Sequence, residues 1–407
     1  MRIVVIGAGA AGCICAIELK RSLGAAVRVD VFEAGDRTLA KVARTGGGRC
    51  NLTNTFEDTG DPAQVYPRGG RLMGRLFHTF SPEDTRQWFT REGIALKVEE
   101  DGRVFPVSDD AMQVVGTLRR LLREEDIPVR TRCKVLAIRP EADGFLLTIA
   151  GAAPERADAV VVTTGGSPVA GTLAALLPPD VETIPPVPSL FALNIPDKGL
   201  RALSGTTVPD TVLALSGTKI KAEGALLITF KGLSGPAALR LSSHAARILA
   251  ERQYRAELRV NWLGRENVEE ALAALKARSG DRLVRNAHPE TIPGRLWAFL
   301  ADRAGIPQEL RWKDAGAKNM ARLAETLRAD TYPVDGKSPN GEEFVTCGGV
   351  SLAAVDPNTL EARCCPGLYF AGEVLDIDAV TGGFNLQAAW TTGVRVARSL
   401  AQKHKGD

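Results

Sequence analysis

The sequence predicts an α/β fold, and three observations carry the prediction. The first is the N-terminal run from Arg2, where β-branched residues pass through Gly7-x-Gly9-x-x-Gly12 into the helical spacing of Ile14, Ile17 and Leu19. The second is the apolar run Val27–Phe32, which reads as the next strand and ends on Glu33, about 20 residues beyond the glycines. The third lies near the C-terminus: Leu368–Ala371 reads as a short buried strand ending in Gly372-Glu373. After it Gly382-Gly383 open a helix with apolar positions at Leu386, Trp390 and Val394. Strand, glycine turn and helix in this order describe a Rossmann-like domain.

Each element has a physical task. Gly7 makes the tight turn, Gly9 lets the backbone reach a pyrophosphate, and Gly12 lets helix and strand pack closely. The helix N-terminus supplies unpaired N–H groups and partial positive charge for the phosphates, while Glu33 accepts hydrogen bonds from a ribose. An acid at that point favours a free 2′-hydroxyl, so FAD or NAD rather than NADP. The C-terminal residues separate those two. Glu373, just beyond a glycine at a strand end, is placed to hold a polyol such as a ribityl chain. A flavin's pyrimidine edge gains negative charge on reduction, and a helix opening at Gly382-Gly383 would stabilise it there. FAD is therefore the expected cofactor.

Between these ends stands Thr45-Gly46-Gly47-Gly48-Arg49-Cys50-Asn51. Three consecutive glycines cost backbone entropy, and a chain that keeps them needs positive φ angles or a close approach of main chain to something flat or charged. The expected answer is a loop that lets backbone touch FAD. Arg49 would offer its fork to the pyrophosphate or to an anionic substrate group, and Asn51 would bond the flavin edge or the neighbouring loop. Cys50 reads as a packing residue, because no second cysteine stands at motif spacing.

Composition narrows the class. With 407 residues the chain exceeds what one core usually serves, and 44% hydrophobic with 24% charged residues is an ordinary globular balance. A net charge of +3 with scattered basic residues gives no nucleic-acid tail, so no nucleic-acid partner is expected. No apolar stretch approaches the roughly 20 residues of a membrane helix, and the N-terminus lacks a basic n-region, so a cytoplasmic protein without membrane contact is expected. Seven cysteines without a CxxC pair suggest neither a disulfide framework nor a dithiol reductase. The four histidines stand at no metal-ligand spacing to Cys364-Cys365, and no metal site is expected.

The middle of the chain changes character twice. Strand-like runs at Val129–Lys134, Phe145–Ile149 and Ala159–Thr163 give way to Pro178-Pro179 and Pro185-Pro186-Val187-Pro188, which mark a boundary. Strands such as Ala225–Thr229 and Ala256–Val260 then suit a small β domain. From Glu266 the period becomes helical, with Val268, Leu272 and Leu275 on one face and Met320, Leu323 and Leu327 on another. Asp335–Gly341 is a turn-rich link back to the first domain.

Taken together, Gly46–Asn51 with Leu52-Thr53-Asn54, Gly102–Pro106, Gly232–Pro236, Gly348–Val350, and Gly367–Asp376 through Gly382–Gln387 resemble the BaiN and aminoacetone-oxidase family of FAD-dependent oxidoreductases. These are glutathione-reductase-like flavoproteins. The resemblance implies a discontinuous FAD-binding domain at 1–185 and 335–407, a β-barrel-like insert at 186–262 with part of 325–345, and a helical subdomain at 263–328. It further implies that Ala10 and Ala11, Ala34, Lys41 and Thr45, Val135, and Thr164 with Gly165 line the cofactor, joined from the C-terminal end by Asp376, Asn385, Leu386, Gln387 and Ala388. Two stretches depart from the family. Ile228-Thr229-Phe230 stands where many members have Phe-Thr-His, and Arg44-Thr45 replaces a serine-rich approach to the triple glycine.

The expected activity is that of an FAD-dependent oxidoreductase, with hydride passing between flavin and a small-molecule substrate or a transient NADH or NADPH. No catalytic base is assigned, since His78, His244, His288 and His404 fall outside the cofactor motifs. Two alternatives remain in view. A flavin-dependent RNA-modifying enzyme should show clustered basic surface or an aromatic platform, which 5% aromatic residues do not suggest. A non-catalytic flavin-binding regulatory protein would carry the same cofactor motifs.

Overall fold

The computed structural model describes residues 1–57, 59–166, 171–264, 267–337 and 345–406. The chain divides into two compact units, Met1–Val187 with Val345–Asp407, and Pro188–Phe344.

The first unit is organised by a five-stranded parallel sheet. Its order is Leu368–Phe370, Ala159–Val162, Arg2–Ile6 (β1), Arg28–Phe32 (β2) and Val129–Arg130, so β1 sits in the middle with Val5 level with both Val161 and Val31. Such strands read as nearly unbroken β-branched runs because both faces are covered. The central strands fit that rule except for Asp30, whose buried carboxylate lies 2.7 Å from Arg2 Nε. Helix α1 (Ala10–Leu23) follows the glycine turn and packs against the C-terminal helix, Phe384–Gly406. The two helices meet almost backbone to backbone: a Cβ on Gly393 would lie 2.6 Å from the Ala11 carbonyl oxygen and 2.7 Å from Ile14 Cγ2.

Smaller elements complete this unit. Thr53–Asn54, Arg103–Pro106 and Leu96–Val98 form a three-stranded antiparallel sheet, and Val135–Glu141, Gly144–Ile149 and Glu155–Ala157 form a meander. Helix Pro82–Arg91 starts on a reciprocal cap. The Asp84 N–H donates to Ser81 Oγ at 3.1 Å and the Ser81 N–H donates to Asp84 at 2.7 Å, which satisfies two orphan donors.

In the second unit the strand at 225–229 belongs to a longer one, Lys221–Thr229, and that at 256–260 to Arg255–Asn261. They lie in a six-stranded antiparallel sheet that curls like a barrel until its edge strands meet. There the Asn194 N–H donates to the Gly336 carbonyl at 3.0 Å and Leu193 pairs with Lys337. Helices Val268–Arg278, Gly294–Arg303 and Ala317–Ala329 share one apolar core with that sheet, in which Trp297 and Trp312 stack at 6.2 Å. Residues 338–341 of the expected turn-rich link lie outside the described residues.

Candidate cofactor site

The turn between β1 and α1 separates its three glycines by task. A Cβ at Gly7 would lie 2.4 Å from the Thr163 carbonyl oxygen. One at Gly12 would lie 2.0 Å from the Gly7 carbonyl oxygen, and one at Gly9 meets no atom within 4 Å. Gly7 and Gly12 are thus required by the protein's own packing, whereas the side of Gly9 faces open space. Gly9 caps α1 without a side-chain hydrogen bond and no acid stands in the first helical turn, so among the described residues no side chain caps the leading N–H groups. Thr163 closes the turn from the next strand, its hydroxyl donating to the carbonyls of Ile6 at 3.0 Å and Gly7 at 2.8 Å.

Glu33 stands directly beside this turn. Its carboxylate accepts the Ala8 N–H at 2.8 Å on one oxygen and the Gly35 N–H at 2.7 Å on the other. Each oxygen keeps a lone pair for a further donor. Ala34 lies between, and the chain leading into Val135 runs alongside, with the Arg132 N–H bonded to the Gly35 carbonyl and the Cys133 N–H to the Glu33 carbonyl, both at 2.8 Å. Of the two alanines beside Gly9, Ala10 is half-exposed, while Ala11 is buried where Gly372 and Gly393 approach α1.

A second cluster joins distant parts of the chain. Glu373 accepts the Thr346 N–H at 2.9 Å and the Lys41 ammonium at 2.9 Å, and a Cβ on Gly165, the neighbour of Thr164, would stand 3.6 Å from the same carboxylate. The Gly372 N–H donates to the buried Thr392 hydroxyl at 2.8 Å, which fixes the strand end to the C-terminal helix.

The triple glycine adopts positive φ at all three positions, 58°, 69° and 88°. Gly46 packs tightly, with 2.7 Å left between its Cβ position and the Asn51 N, but Gly47 and Gly48 face open space. The loop is held from beneath. The Cys50 N–H bonds to the Thr45 carbonyl at 3.0 Å, the Thr45 hydroxyl donates to the Val42 carbonyl at 2.8 Å, and the Asn51 amide donates to the Thr53 carbonyl at 3.1 Å while accepting the Gly383 N–H at 3.0 Å. Asn51 therefore ties this loop to the start of the C-terminal helix. Cys50 is fully buried, and burial pushes its thiol up to about 12, against a smaller lowering by a hydrogen bond with Thr45. It stays protonated and packs.

Arg49 is not where the sequence reading puts it. Its guanidinium lies 4.0 Å over the Phe105 ring and binds Glu99 at 2.5 Å and Asp109 at 2.8 Å, so the fork expected to face a pyrophosphate or substrate is engaged by two carboxylates. Gln387 also turns inward. It is buried, accepts the Thr53 hydroxyl at 2.5 Å and donates to Thr391 at 2.9 Å. Asn385 closes its own turn, accepting the Ala379 N–H at 2.9 Å and donating to the Ala379 carbonyl at 3.0 Å. Asp376 and Ala388 are buried, and Leu386 is half-buried against the core beyond Gly382-Gly383.

Sequence reasoning missed Thr163, Thr346 and Thr392, whose short polar side chains or N–H groups secure the glycine turns. It also missed Arg68 and Asp378, a buried ion pair with 2.5 Å between Nε and Oδ1, just before the C-terminal helix. Only Asp378, two residues beyond Asp376, carried a signal, as an acid inside an apolar run.

The chain matches the family described as "HI0933-like protein Rossmann domain" over residues 1–399. It belongs to the HI0933-like family. This is a family of FAD-dependent oxidoreductases, as the resemblance to BaiN and aminoacetone oxidases implied, and the chain is accordingly an enzyme of the flavoprotein class. Among similar proteins is the 3-dehydro-bile acid delta(4,6)-reductase of Clostridium scindens, 29% identical and covering 99% of both chains. The ribosomal RNA dihydrouridine synthase of Escherichia coli is also 29% identical, covering 98% of this chain and 97% of the other. The fold is shared with the 3-ketosteroid-delta4-(5alpha)-dehydrogenase of Rhodococcus jostii, at a TM-score of 0.50, 12% identity, and coverage of 98% of this chain and 96% of that one. The open side of Gly9, the N-terminus of α1 and the spare lone pairs of Glu33 have the chemistry to fit a dinucleotide. Among the described residues no helix is long and apolar enough to cross a membrane.

Proposed function

We propose that this chain is an FAD-dependent reductase that saturates a carbon–carbon double bond conjugated to a carbonyl, with NADH or NADPH as the source of hydride. The observation that carries the reading is what two full-length relatives share. A delta(4,6)-reductase of a 3-dehydro-bile acid and a dihydrouridine synthase both saturate a ring double bond in conjugation with a carbonyl, on substrates of very different size. FAD, when bound, supplies two-electron chemistry, accepting hydride from one partner and giving it to the other.

The chain's own residues bind and orient. The Gly7–Gly12 turn and α1 would hold the pyrophosphate, Glu33 a ribose, and Glu373, braced by Lys41 and Thr346, the ribityl chain. Gly47 and Gly48 would leave the backbone free to lie against the ring system, with Asn51 setting the distance to Gly383. Cys50 is held protonated, which supports transfer without a thiolate at the flavin loop. Adding hydride to a conjugated double bond puts negative charge on the carbonyl oxygen, so a donor there lowers the barrier. Arg44, exposed in the cofactor loop and without an ion pair among the described residues, is the cation we assign to that task.

The test is anaerobic. Flavin reduced by NADH or NADPH is mixed with a conjugated enone, its saturated ketone and an unconjugated alkene. Reoxidation by the enone alone, with loss of its ultraviolet band, is the expected result, and reoxidation by none of the three would refute it. The two relatives named as ribosomal RNA dihydrouridine synthases favour a second substrate for the same chemistry, a uracil in RNA. Dihydrouridine formed in ribosomal RNA by the purified enzyme would choose that substrate.

A further inference from the structure

We propose that Arg395 and Arg398 of the C-terminal helix, converging on Thr79, form a binding site for a phosphate-class oxyanion. The two arginines stand three residues apart on one face, a like-charge spacing that costs stability unless something negative lies between them. Both reach the same residue. Arg398 Nη1 donates to the Thr79 carbonyl at 2.5 Å, and Arg395 Nη1 lies 3.5 Å from the Thr79 hydroxyl, at the limit of a hydrogen bond.

Among the described residues neither guanidinium has a carboxylate within ion-pair distance, and Arg395 Nε is buried with no hydrogen-bond partner. The acid that acts on Arg395 from farther away is Asp356, whose Oδ1 is already used by the Asn358 N–H at 2.7 Å and the Thr359 N–H at 3.1 Å. Burial, and after it the charge of Arg398, push the Arg395 guanidinium below its usual pKa. A buried donor without a partner is costly, and a second cation beside it adds to the cost.

A water held between the Nη groups would leave both charges uncompensated. A tetrahedral oxyanion accepts from the Nη groups of Arg395 and of Arg398 at once. Arg398 is exposed and Thr79 half-exposed, so the site opens to solvent. It does not depend on the reductase activity proposed above.

The experiment uses purified, flavin-loaded protein, so that the cofactor's own phosphate cradle is occupied. Inorganic phosphate is titrated by calorimetry and by thermal shift, with chloride adjusted to constant ionic strength. The expected result is saturable binding of one phosphate per chain, weakened on the order of tenfold or more in Arg395→Gln and in Arg398→Gln, the weight of one lost charge-assisted hydrogen bond. Glycerol 3-phosphate distinguishes the source: equal competition assigns the phosphoryl group of a larger ligand, and failure to compete assigns free phosphate. No saturable binding to the wild-type protein, or equal binding by both variants, would overturn the site. Arg398 is exposed, so its variant folds and keeps the test decisive even if the Arg395 variant does not.

Discussion

Replacing Gly9 with aspartate should stabilise the empty protein and expel its flavin. Gly9 has φ −86° and ψ −166°, a backbone any residue adopts, and it caps α1 with no side-chain bond and no first-turn acid. An aspartate there can accept from the leading N–H groups and complement the helix dipole, a gain of about 0.5–1 kcal/mol. Its side chain enters the space that holds no protein atom within 4 Å, where the pyrophosphate is proposed to sit. Two like charges about 4 Å apart at an effective dielectric near 20 repel by roughly 4 kcal/mol. After some screening about 3 kcal/mol remains, on the order of a hundredfold in affinity. The assay pairs two readings: calorimetric melting of the apoprotein, and quenching of flavin fluorescence on titration with FAD. Gly12→Ala is the contrast, because its Cβ would sit 2.0 Å from the Gly7 carbonyl oxygen and 2.6 Å from Thr163 Oγ1. It should cost about 1–3 kcal/mol in the apoprotein itself. A Gly9→Asp protein that keeps full flavin, or melts well below wild type without it, would refute the division of labour among these glycines.

Other outcomes follow from the same geometry. Cys50→Ala should retain flavin reduction within about twofold, and the wild-type rate should show no thiol ionisation between roughly pH 6 and 9, since a thiol at about 12 is protonated throughout; stopped-flow bleaching checks both. Gln387→Leu removes the acceptor of the buried Thr53 hydroxyl and a donor to Thr391, whose hydroxyl still binds the Phe80 carbonyl, and urea unfolding should register a loss of about 1–3 kcal/mol. Lys97, and then Arg49, hold the Asp109 carboxyl below its ordinary value, so its contribution is complete above that value and is lost as pH falls through the lowered one. The Asp109 half of the Arg49 clamp should therefore hold through the ordinary aspartate range and loosen only below it, read as a loss of flavin-loop order that Asp109→Asn shows already at neutral pH.

What the sequence could disclose was local. The β-branched run before Gly7, the helical period after Gly12 and the acid closing β2 are periodicities within some thirty residues, and they name the parallel sheet and its order of turn and helix. Contacts across the chain were not legible. Thr53 meets Gln387 from 334 positions away and Lys41 meets Glu373 from 332, and nothing in spacing says that these side chains would engage one another. Arg49 shows the cost of that blindness. Beside three glycines its guanidinium looked free for a phosphate, yet Glu99 and Asp109, 50 and 60 residues on, claim it across a small sheet. Gly393, inside the last helix, is the point at which two helices touch, and no local periodicity marks it.

That touch point bears on how the proposed cradle is made. β1 lies beside Ala159–Val162, which lies beside Leu368–Phe370, so within the sheet the two ends of the chain are joined through a strand from its middle. The first turn of α1 is held against the C-terminal helix where Gly393, well inside that helix, faces Ala11, and against the strand end where Gly372 approaches Ala11 Cβ. The closeness of this packing is therefore set by the absence of side chains at 393 and 372. A dinucleotide spanning both helix ends binds only the state in which those ends are joined, and its binding energy adds to the stability of that junction. Flavin release and loosening of the α1 contact are thus linked steps, and a methyl group at 393 should weaken flavin binding from beneath, with every proposed cofactor contact left in place.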